Sequence, residues 1–395
     1  MNSPEGPADK LEFFRGEVSR LLGEAEVPVV EPPCAHFALC GGCQLQHLPY
    51  PLQLAFKREG VRRAFAEAGL EVTQVLAPVA GMDDPWHYRN KADLNIRSAG
   101  GTAQLGFSRH DGRGVVEVLE CPISSPAIND VLAAFRELLP AWPTLRRKLH
   151  SVIVRSSRLE GRAAVLYHTR LKDAEVFSAL SRQLMERCPA VKGAAFVDHR
   201  REVAVGETRL TERILGIDYG YGLGSFFQAN PLQTEVLVEK VLALTGAESG
   251  DVVADLYSGV GLFTMQLARR AREVYAIEDT PAAVSDAEAN AARLGLSNCK
   301  FLRGQAHERL ESLDLFRTKL DLVVLDPPRS GCAEKVLALL PRFAPRRIVY
   351  VSCNPVSLAR DASSLVGAGF KLASVEPVDM FPQTTHLECV ACFER

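Results

Sequence analysis

The chain has 395 residues, of which 47% are hydrophobic and 24% are charged. That length and composition are typical of a globular protein with two or three domains, and they exclude a disordered or fibrous chain. The first residues include acidic side chains and no apolar run of signal-peptide length, and no segment approaches the roughly 18 apolar residues of a membrane span. We therefore expect a cytoplasmic protein with no membrane partner.

Cysteine content and charge distribution narrow the chemistry. Thiols stay reduced in the cytoplasm, so the ten cysteines are expected to be metal ligands, catalysts or packing residues rather than disulfides. The formal net charge of -2 hides an asymmetry, because residues 146–213 hold 15 Lys and Arg against 8 Asp and Glu. A solvated basic face and a docking site for a polyanion would both explain that stretch.

The predicted elements divide the chain into three parts. Residues 1–33 form a lead-in, with a short amphipathic helix and a proline-bearing linker. The apolar positions of that helix are Leu11, Phe14, Val18, Leu21 and Leu22. Residues 34–219 begin with a cysteine-rich turn and a helix over PLQLAFKREGVRRAFAEAGL. Mostly short strands follow, such as KADLNIRS, SVIVRSS, AAVLYHT and GAAFVDH. This central part is an α+β region.

Residues 220–395 alternate apolar strands with helices. The predicted strands are DVVADLY, EVYAIE, LDLVVLD, RIVYVS, KLASVEPVD and HLECVACF. The predicted helices lie over NPLQTEVLVEKVLALTG, GLFTMQLARRA, TPAAVSDAEANAARLG and AEKVLALLPRF. Alternation of this kind predicts an α/β domain with a doubly wound parallel sheet, closed here by a C-terminal hairpin.

The first strand of this domain leads into a glycine turn, DLYSGVGLFT. Gly259 and Gly261 allow a tight turn and a close backbone approach to a ligand, and Glu278 ends the next strand, where it can accept hydrogen bonds from ribose hydroxyls. Thr264 stands where the dinucleotide fingerprint has its third glycine. An adenosine without a pyrophosphate therefore suits the turn better, which favours S-adenosylmethionine, although such turns also serve only to pack a helix on a strand.

Two later strands also end in residues that could do chemistry. Asp326 follows LDLVVL and precedes two prolines; Asp-Pro-Pro at such a place is a feature of methyltransferases that act on nucleobases, and also of a simple Asp turn. Cys353 follows IVYVS. A cysteine at the end of a buried strand is often an inert packing residue. A catalytic thiol is the alternative.

Four cysteines have metal-ligand spacing. Cys34, Cys40 and Cys43 form a C-x5-C-x2-C motif, and Cys121 before Pro122 supplies a distant fourth thiol. Four thiolates bind either a tetrahedral zinc ion or an iron–sulfur cluster, and the spacing by itself slightly favours zinc.

Taken together, these motifs make the chain resemble the RNA uracil-C5 methyltransferases, the family of the 23S ribosomal RNA (uracil-5-)-methyltransferases and the tRNA T-loop uracil methyltransferase. The matching stretches run in family order from Cys34 to Glu388. They are CAHFALCGGCQLQH, HYRNKADL, LGFSRH, SFFQANPLQTEVL, DLYSGVGLFT, LDPPRSG, VSCNPVSLARD and MFPQTTHLE.

The resemblance implies a Rossmann-like class I methyltransferase domain and a role for each motif. Cys353 would be the nucleophile and Glu388 the general base. The cofactor contacts would be Gln228, Tyr257, Glu278 and Asp326, with Gly259 and Gly261 in the turn. The cysteines Cys34, Cys40, Cys43 and Cys121 would hold a [4Fe-4S] cluster in the central domain. RNA would be the partner, with no obligate protein partner evident.

The resemblance leaves the target RNA open. The roughly thirty residues before Cys34 cannot hold the TRAM domain with which some ribosomal enzymes begin. Asp326 replaces the Asn typical of the TRAM-less ribosomal branch, and that branch has a wider gap between its first two cluster cysteines. Ribosomal RNA is favoured and transfer RNA is the alternative.

The proposed chemistry needs these residue types. Carbon 5 of uracil is a weak nucleophile until a thiolate adds to C6, and after methyl transfer a base must remove the C5 proton. Cysteine suits the first step because we expect an appreciable thiolate fraction near neutral pH. Two other functions are possible on the residues: an adenine amino-group methyltransferase with an incidental Cys353, and a non-enzymatic RNA-binding or iron–sulfur scaffold.

Overall fold

The computed structural model describes residues 16, 18–20, 22–23, 27–99, 102–142, 149–169, 173–198, 201–315 and 317–395. Of the predicted lead-in helix, Val18 and Leu22 are helical, and Val18 is buried in a small cluster with Leu45 and Leu48. Leu11, Phe14 and Leu21 lie outside the described residues. No helix among the described residues has the length and apolar composition needed to cross a membrane.

The first sheet lies in the central part of the chain. Its described strands follow the order β3-β2-β1-β4-β5-β6-β7. They are β1 (Lys91–Ala99), β2 (Thr102–Ser108), β3 (Val115–Glu117), β4 (Leu149–Ser157), β5 (Arg162–Thr169), β6 (Val191–Asp198) and β7 (Arg201–Gly206). Two helices, α2 (Pro126–Leu138) and α3 (Ala174–Arg187), share an apolar core with this sheet. The four strands expected from the sequence here, β1, β4, β5 and β6, are confirmed.

A two-stranded hairpin, β8 (Leu210–Ile214) and β9 (Ile217–Tyr221), leads from the first sheet to the second. Leu210, Ile217 and Tyr219 are buried in the same core as residues of the second sheet. The hairpin therefore packs with the C-terminal part of the chain.

The second sheet has the order β12-β11-β10-β13-β14-β16-β15. Its strands are β10 (Val252–Leu256), β11 (Glu273–Glu278), β12 (Cys299–Arg303), β13 (Leu322–Leu325), β14 (Arg347–Ser352), β15 (Lys371–Val378) and β16 (Glu388–Glu394). The first five are parallel, and β16 runs antiparallel to both β14 and β15. The predicted doubly wound parallel sheet with a C-terminal hairpin is confirmed.

Helices cover both faces of this sheet. They are α4 (Pro231–Thr245), α5 (Leu262–Ala268), α6 (Pro281–Arg293), α7 (Ala306–Leu315), α8 (Glu334–Phe343) and α9 (Pro355–Gly367). Buried residues of α4, α5 and α6 form one core with the sheet, and those of α7, α8 and α9 form the other. Strand β10 supplies Val253 to the first core and Val252, Ala254 and Leu256 to the second, because successive side chains of a strand point to opposite faces.

A helix from the central part of the sequence also packs on this sheet. Val61, Ala64 and Phe65 of α1 (Tyr50–Glu67) belong to the core that contains α7, α8 and α9. The segment after α1 covers the free edge of β15, with Ala77 N donating to Val375 O at 2.9 Å and Ala80 N to Pro377 O at 2.9 Å. The division into residues 1–33, 34–219 and 220–395 stays a prediction.

Candidate active site

Four of the predicted site residues lie at the carboxyl ends of neighbouring parallel strands. Tyr257 follows β10, Glu278 ends β11, Asp326 follows β13, and Cys353 follows β14. These strands pair in parallel with one another, so their carboxyl ends meet at one edge of the sheet. Open α/β sheets bind their ligands at this edge.

A cavity of about 1020 Å³ opens at that edge. It is lined by Gln228, Tyr257, Gly259, Glu278, Asp326, Cys353 and Glu388, together with neighbouring residues. Gly261 does not line it. Gly261 has a φ of 85°, and a Cβ there would lie 2.5 Å from Met265 Cε, so this glycine serves the start of α5 rather than ligand contact. The structure therefore brings all the predicted catalytic and cofactor-binding residues except Gly261 to one cavity.

The glycine turn and Glu278 fit an adenosine. Gly259 has a φ of 55°, and no atom lies within 4 Å of the place a Cβ would take, so a ligand can approach the backbone there. The Glu278 carboxylate accepts hydrogen bonds from Gly259 N at 3.0 Å and Thr280 N at 2.8 Å, which fix it at the rim of the cavity. A carboxylate has further lone pairs for ribose hydroxyls.

Tyr257 holds an unusual backbone conformation beside the cavity. Its φ of 63° lies in the left-handed region, which is uncommon for a residue other than glycine and often marks a functional site. Its hydroxyl lies 3.7 Å from Cys332 Sγ. Cys332 is buried and also lines the cavity. Burial raises the pKa of the Cys332 thiol to about 12, so it stays protonated at neutral pH.

Two carboxyl groups and a thiol that line the cavity act on one another electrostatically. Burial, with a smaller contribution from Asp255, raises the pKa of Asp326 to about 7. Burial raises the pKa of Glu388 well above its usual value, with Asp326 adding to the effect. Glu388 Oε2 is buried and has no hydrogen-bond partner among the described residues. Glu388 can therefore hold a proton more strongly than an ordinary carboxyl.

The same surroundings oppose ionisation of Cys353. Burial, with smaller contributions from Glu388 and Asp326, raises the pKa of this thiol to about 11, although Arg329 acts to lower it. The sequence-based expectation of an appreciable thiolate fraction near neutral pH is not met in the free protein, because burial and two nearby carboxyl groups disfavour the thiolate. Sequence reasoning also missed Arg329, which is exposed and lines the cavity. Its position directly after Asp-Pro-Pro was an available signal.

The four predicted metal ligands, Cys34, Cys40, Cys43 and Cys121, line a second cavity of about 580 Å³. Burial, with a smaller contribution from Cys121, raises the pKa of Cys40 to about 11 and that of Cys43 to about 12. No group of three or more Cys, His, Asp or Glu side chains in the described parts of the chain is arranged to hold a metal ion. The thiols are neighbours, and the predicted cluster is not confirmed.

The basic stretch of residues 146–213 has part of its charge neutralised locally. Arg187 pairs with Glu137, Lys192 with Glu160, Arg209 with Asp286, and Arg213 with Asp218. Exposed arginines such as Arg158, Arg162 and Arg182 add to the positive charge of this surface. The net positive charge of the stretch therefore overstates the charge it presents to a ligand.

The doubly wound sheet, with a glycine turn and an acidic strand end at its ligand-binding edge, is that of a class I S-adenosylmethionine-dependent methyltransferase. Residues 49–395 match the family model described as tRNA (uracil-5-)-methyltransferase. The chain belongs to this family, which confirms the resemblance of its motifs, and it is an S-adenosylmethionine-dependent RNA methyltransferase.

Relatives and solved structures agree with this assignment. The chain is 33% identical to an uncharacterized RNA methyltransferase of Halalkalibacterium halodurans, with 96% of this chain and 86% of the relative covered. It is 35% identical to one of Oceanobacillus iheyensis, with 92% and 82% covered. The crystal structure of the Pyrococcus abyssi tRNA (uracil-54, C5)-methyltransferase in complex with S-adenosyl-L-homocysteine superposes with a TM-score of 0.71 at 26% identity, covering 90% of this chain and 86% of that one.

Proposed function

We propose that this protein transfers a methyl group from S-adenosylmethionine to C5 of a uridine in RNA through a covalent bond between Cys353 and C6. The observation that carries the proposal is the placement of Cys353 and Glu388 in the same cavity as Gln228, Tyr257 and Glu278. A thiol and a buried carboxyl facing one ring are what the addition and proton-removal steps need.

Each step of the proposed reaction depends on particular residues of this chain. Gln228, Tyr257, Gly259, Glu278 and Asp326 would hold the cofactor, which supplies the methyl group and a positive sulfonium charge. Cys353 Sγ forms a bond to C6 of the uracil, and the electron pair of the C5–C6 double bond moves so that C5 becomes nucleophilic. After C5 is methylated, the Glu388 carboxylate takes the C5 proton, and the electron pair of that C–H bond re-forms the double bond and expels Cys353.

The raised pKa of Glu388 suits this second step. Burial holds the pKa of Glu388 well above its usual value, which makes its ionised form a stronger base than an ordinary glutamate. Arg329, at the mouth of the same cavity, favours the thiolate form of Cys353 and is placed to contact a phosphate of the RNA.

Ribosomal RNA is our first choice of substrate, from the resemblance of the motifs, and the protein would act in the cytoplasm. Transfer RNA is the second candidate, because both the family description and the Pyrococcus abyssi protein name it. Methylation of an adenine amino group is disfavoured, since that reaction would not use Cys353 or Glu388, although both line the cavity.

We further propose that Cys34, Cys40, Cys43 and Cys121 hold a [4Fe-4S] cluster. The support is that all four thiols line one cavity and act on one another electrostatically. Four thiolates are the usual ligand set of such a cluster.

Two variants test the proposed reaction. Cys353→Ala should bind S-adenosylmethionine as the wild type does but form neither methylated product nor an adduct. Glu388→Gln should methylate the ring and then leave it attached, giving an RNA–protein band that survives a denaturing gel. Cys389→Ala, which changes a buried cysteine directly beside Glu388, is the matched control and should turn over. Normal turnover by Cys353→Ala would refute the covalent mechanism.

A further inference from the structure

The loop of residues 379–387, here called the base loop, joins β15 to β16 and leads directly into Glu388. Val378 and Glu388 face each other in the β15–β16 pairing, so the base loop closes on the residue that carries the proposed base. Because Glu388 Oε2 has no hydrogen-bond partner among the described residues, hydrogen bonds at that oxygen do not set the direction of the carboxyl. The position of its backbone, into which the base loop leads, contributes to that direction.

Gln383 lies in the middle of the base loop, and both its backbone N–H and its backbone carbonyl form hydrogen bonds. Its carbonyl oxygen accepts hydrogen bonds from Gln44 N at 3.0 Å and Leu45 N at 2.9 Å. Its own N–H donates to Gln53 Oε1 at 3.1 Å. Its side-chain Oε1 accepts from Gln53 Nε2 at 2.9 Å, and both glutamines are buried.

These bonds hold Gln383 in a conformation that it would not keep alone. Its φ of 69° lies in the left-handed region, which is unfavourable for a residue other than glycine. Such a conformation persists only when the surroundings fix it, and it is found preferentially at functional sites. Here the surroundings are Gln53 of α1 and the two residues that follow Cys43.

Further bonds to the base loop come from the same part of the chain. Gln44 Oε1 accepts from Thr385 N at 3.4 Å, and Tyr88 OH donates to Pro382 O at 2.9 Å. These contacts originate more than 290 residues earlier in the sequence than the loop they hold. A segment outside the doubly wound sheet therefore fixes the loop that leads into the proposed base.

We propose that Gln44, Gln53 and Gln383, here called the glutamine clamp, position the Glu388 carboxyl for removal of the C5 proton. This inference rests on the proposed function. The three glutamines are positioning residues, since they act on the reaction through the backbone of the base loop. The clamp also gives the cysteine segment a direct structural link to the active site, because Gln44 follows Cys43 in the chain.

The inference predicts that weakening the clamp slows one step and spares the others. RNA containing 5-fluorouridine reports addition and methyl transfer alone, because fluorine replaces the proton that the base must remove and the adduct accumulates. RNA containing uridine reports turnover, which includes proton removal. For Gln53→Ala we expect fluorouridine adduct formation within about twofold of the wild type, and uridine turnover slower by about tenfold or more.

The matched control is Gln266→Ala. Gln266 is also a buried glutamine, and its side chain donates to a backbone carbonyl, Ile214 O at 3.1 Å, on the far side of the second sheet from α1. It should leave the ratio of the two rates unchanged. If Gln53→Ala does not fold, Gln383→Gly is measured instead. Gly tolerates the left-handed backbone but removes the side-chain bond to Gln53, so it should also slow uridine turnover selectively.

Two results overturn the inference while leaving the proposed function intact. One is a clamp variant whose rates match those of Gln266→Ala. The other is a clamp variant in which adduct formation and uridine turnover fall by the same factor, which indicates a general loss of structure or of RNA binding. A wild-type protein that forms no adduct with 5-fluorouridine RNA has a different signature. That result refutes the proposed function itself, and the inference falls with it.

Discussion

A buried ion pair offers a test of the structure that does not depend on the reaction. Lys57 Nζ lies 2.5 Å from Asp379 Oδ1, and both side chains are 0% exposed. Lys57 also donates to Phe381 O at 3.0 Å, and Tyr50 OH donates to Asp379 Oδ2 at 2.9 Å. Burial lowers the pKa of Lys57, and Asp379 opposes that effect. The pair joins α1 to the first residues of the base loop.

Replacing one partner should cost far more than the pair itself contributes. Lys57→Met keeps most of the side-chain volume but leaves the Asp379 charge buried without its cation, so the free energy of unfolding should fall by about 3–5 kcal/mol. The double change Lys57→Met with Asp379→Leu removes both charges. It should recover most of that loss, short of about 1–2 kcal/mol for the Tyr50 hydroxyl left without an acceptor.

Urea denaturation followed by circular dichroism measures these differences. Lys300→Met is the control, because its pair with Glu273 lies at the surface, with the lysine side chain 53% exposed, and it should cost less than about 1 kcal/mol. The reasoning is refuted if Lys57→Met lies within about 1 kcal/mol of the wild type. It is refuted equally if the double variant is no more stable than the single one.

Two further predictions concern the active site and the cysteines. Uridine turnover should rise as the pH is raised above neutrality, because Glu388, the proposed base, acts only when ionised and its pKa is raised, and because the pKa of Cys353 is raised to about 11. Asp326→Asn removes the carboxyl that raises the pKa of Glu388, so the rise should begin at a lower pH, and an unshifted profile would contradict the proposed coupling. Protein purified without oxygen should carry about four iron atoms per chain, and Cys40→Ser should lose them. One zinc per chain would instead rule out the cluster.

Much of the second sheet could be predicted from sequence because its central strands are buried on both faces. Such strands are continuous apolar runs, as in residues 322–325 and 348–351, and their ends place Asp326 and Cys353 at one edge. Helix α3 had readable signals that the sequence interpretation did not use: Asp173 accepts a hydrogen bond from Val176 N as the N-cap, and apolar residues recur at helical spacing. The half-buried edge strand β12 gives no such apolar run.

The contacts around the base loop could not be predicted in this way. Lys57 and Asp379 are separated by 322 residues, and Gln53 and Gln383 by 330. Each alone looks like an ordinary polar residue of a helix or a loop. The pairing arises only when α1 packs on the second sheet, a tertiary event that leaves no periodic pattern. The raised pKa of Cys353 escaped prediction for the same reason, since it depends on which carboxyls the fold brings near the sulfur.

The charges around the cavity explain how Cys353 could act as the proposed nucleophile although its pKa is raised. In the free protein, burial and two neighbouring carboxyls keep Cys353 protonated, and burial also favours the neutral forms of Asp326 and Glu388. A positive charge close to these groups favours the ionised form of all three. A methyl donor held by the cofactor-binding residues would supply such a charge until its methyl group is transferred. The bound donor would therefore favour the thiolate form of Cys353. Cys332 lines the same cavity, where burial raises the pKa of its thiol to about 12 and the Tyr257 hydroxyl lies 3.7 Å from its sulfur.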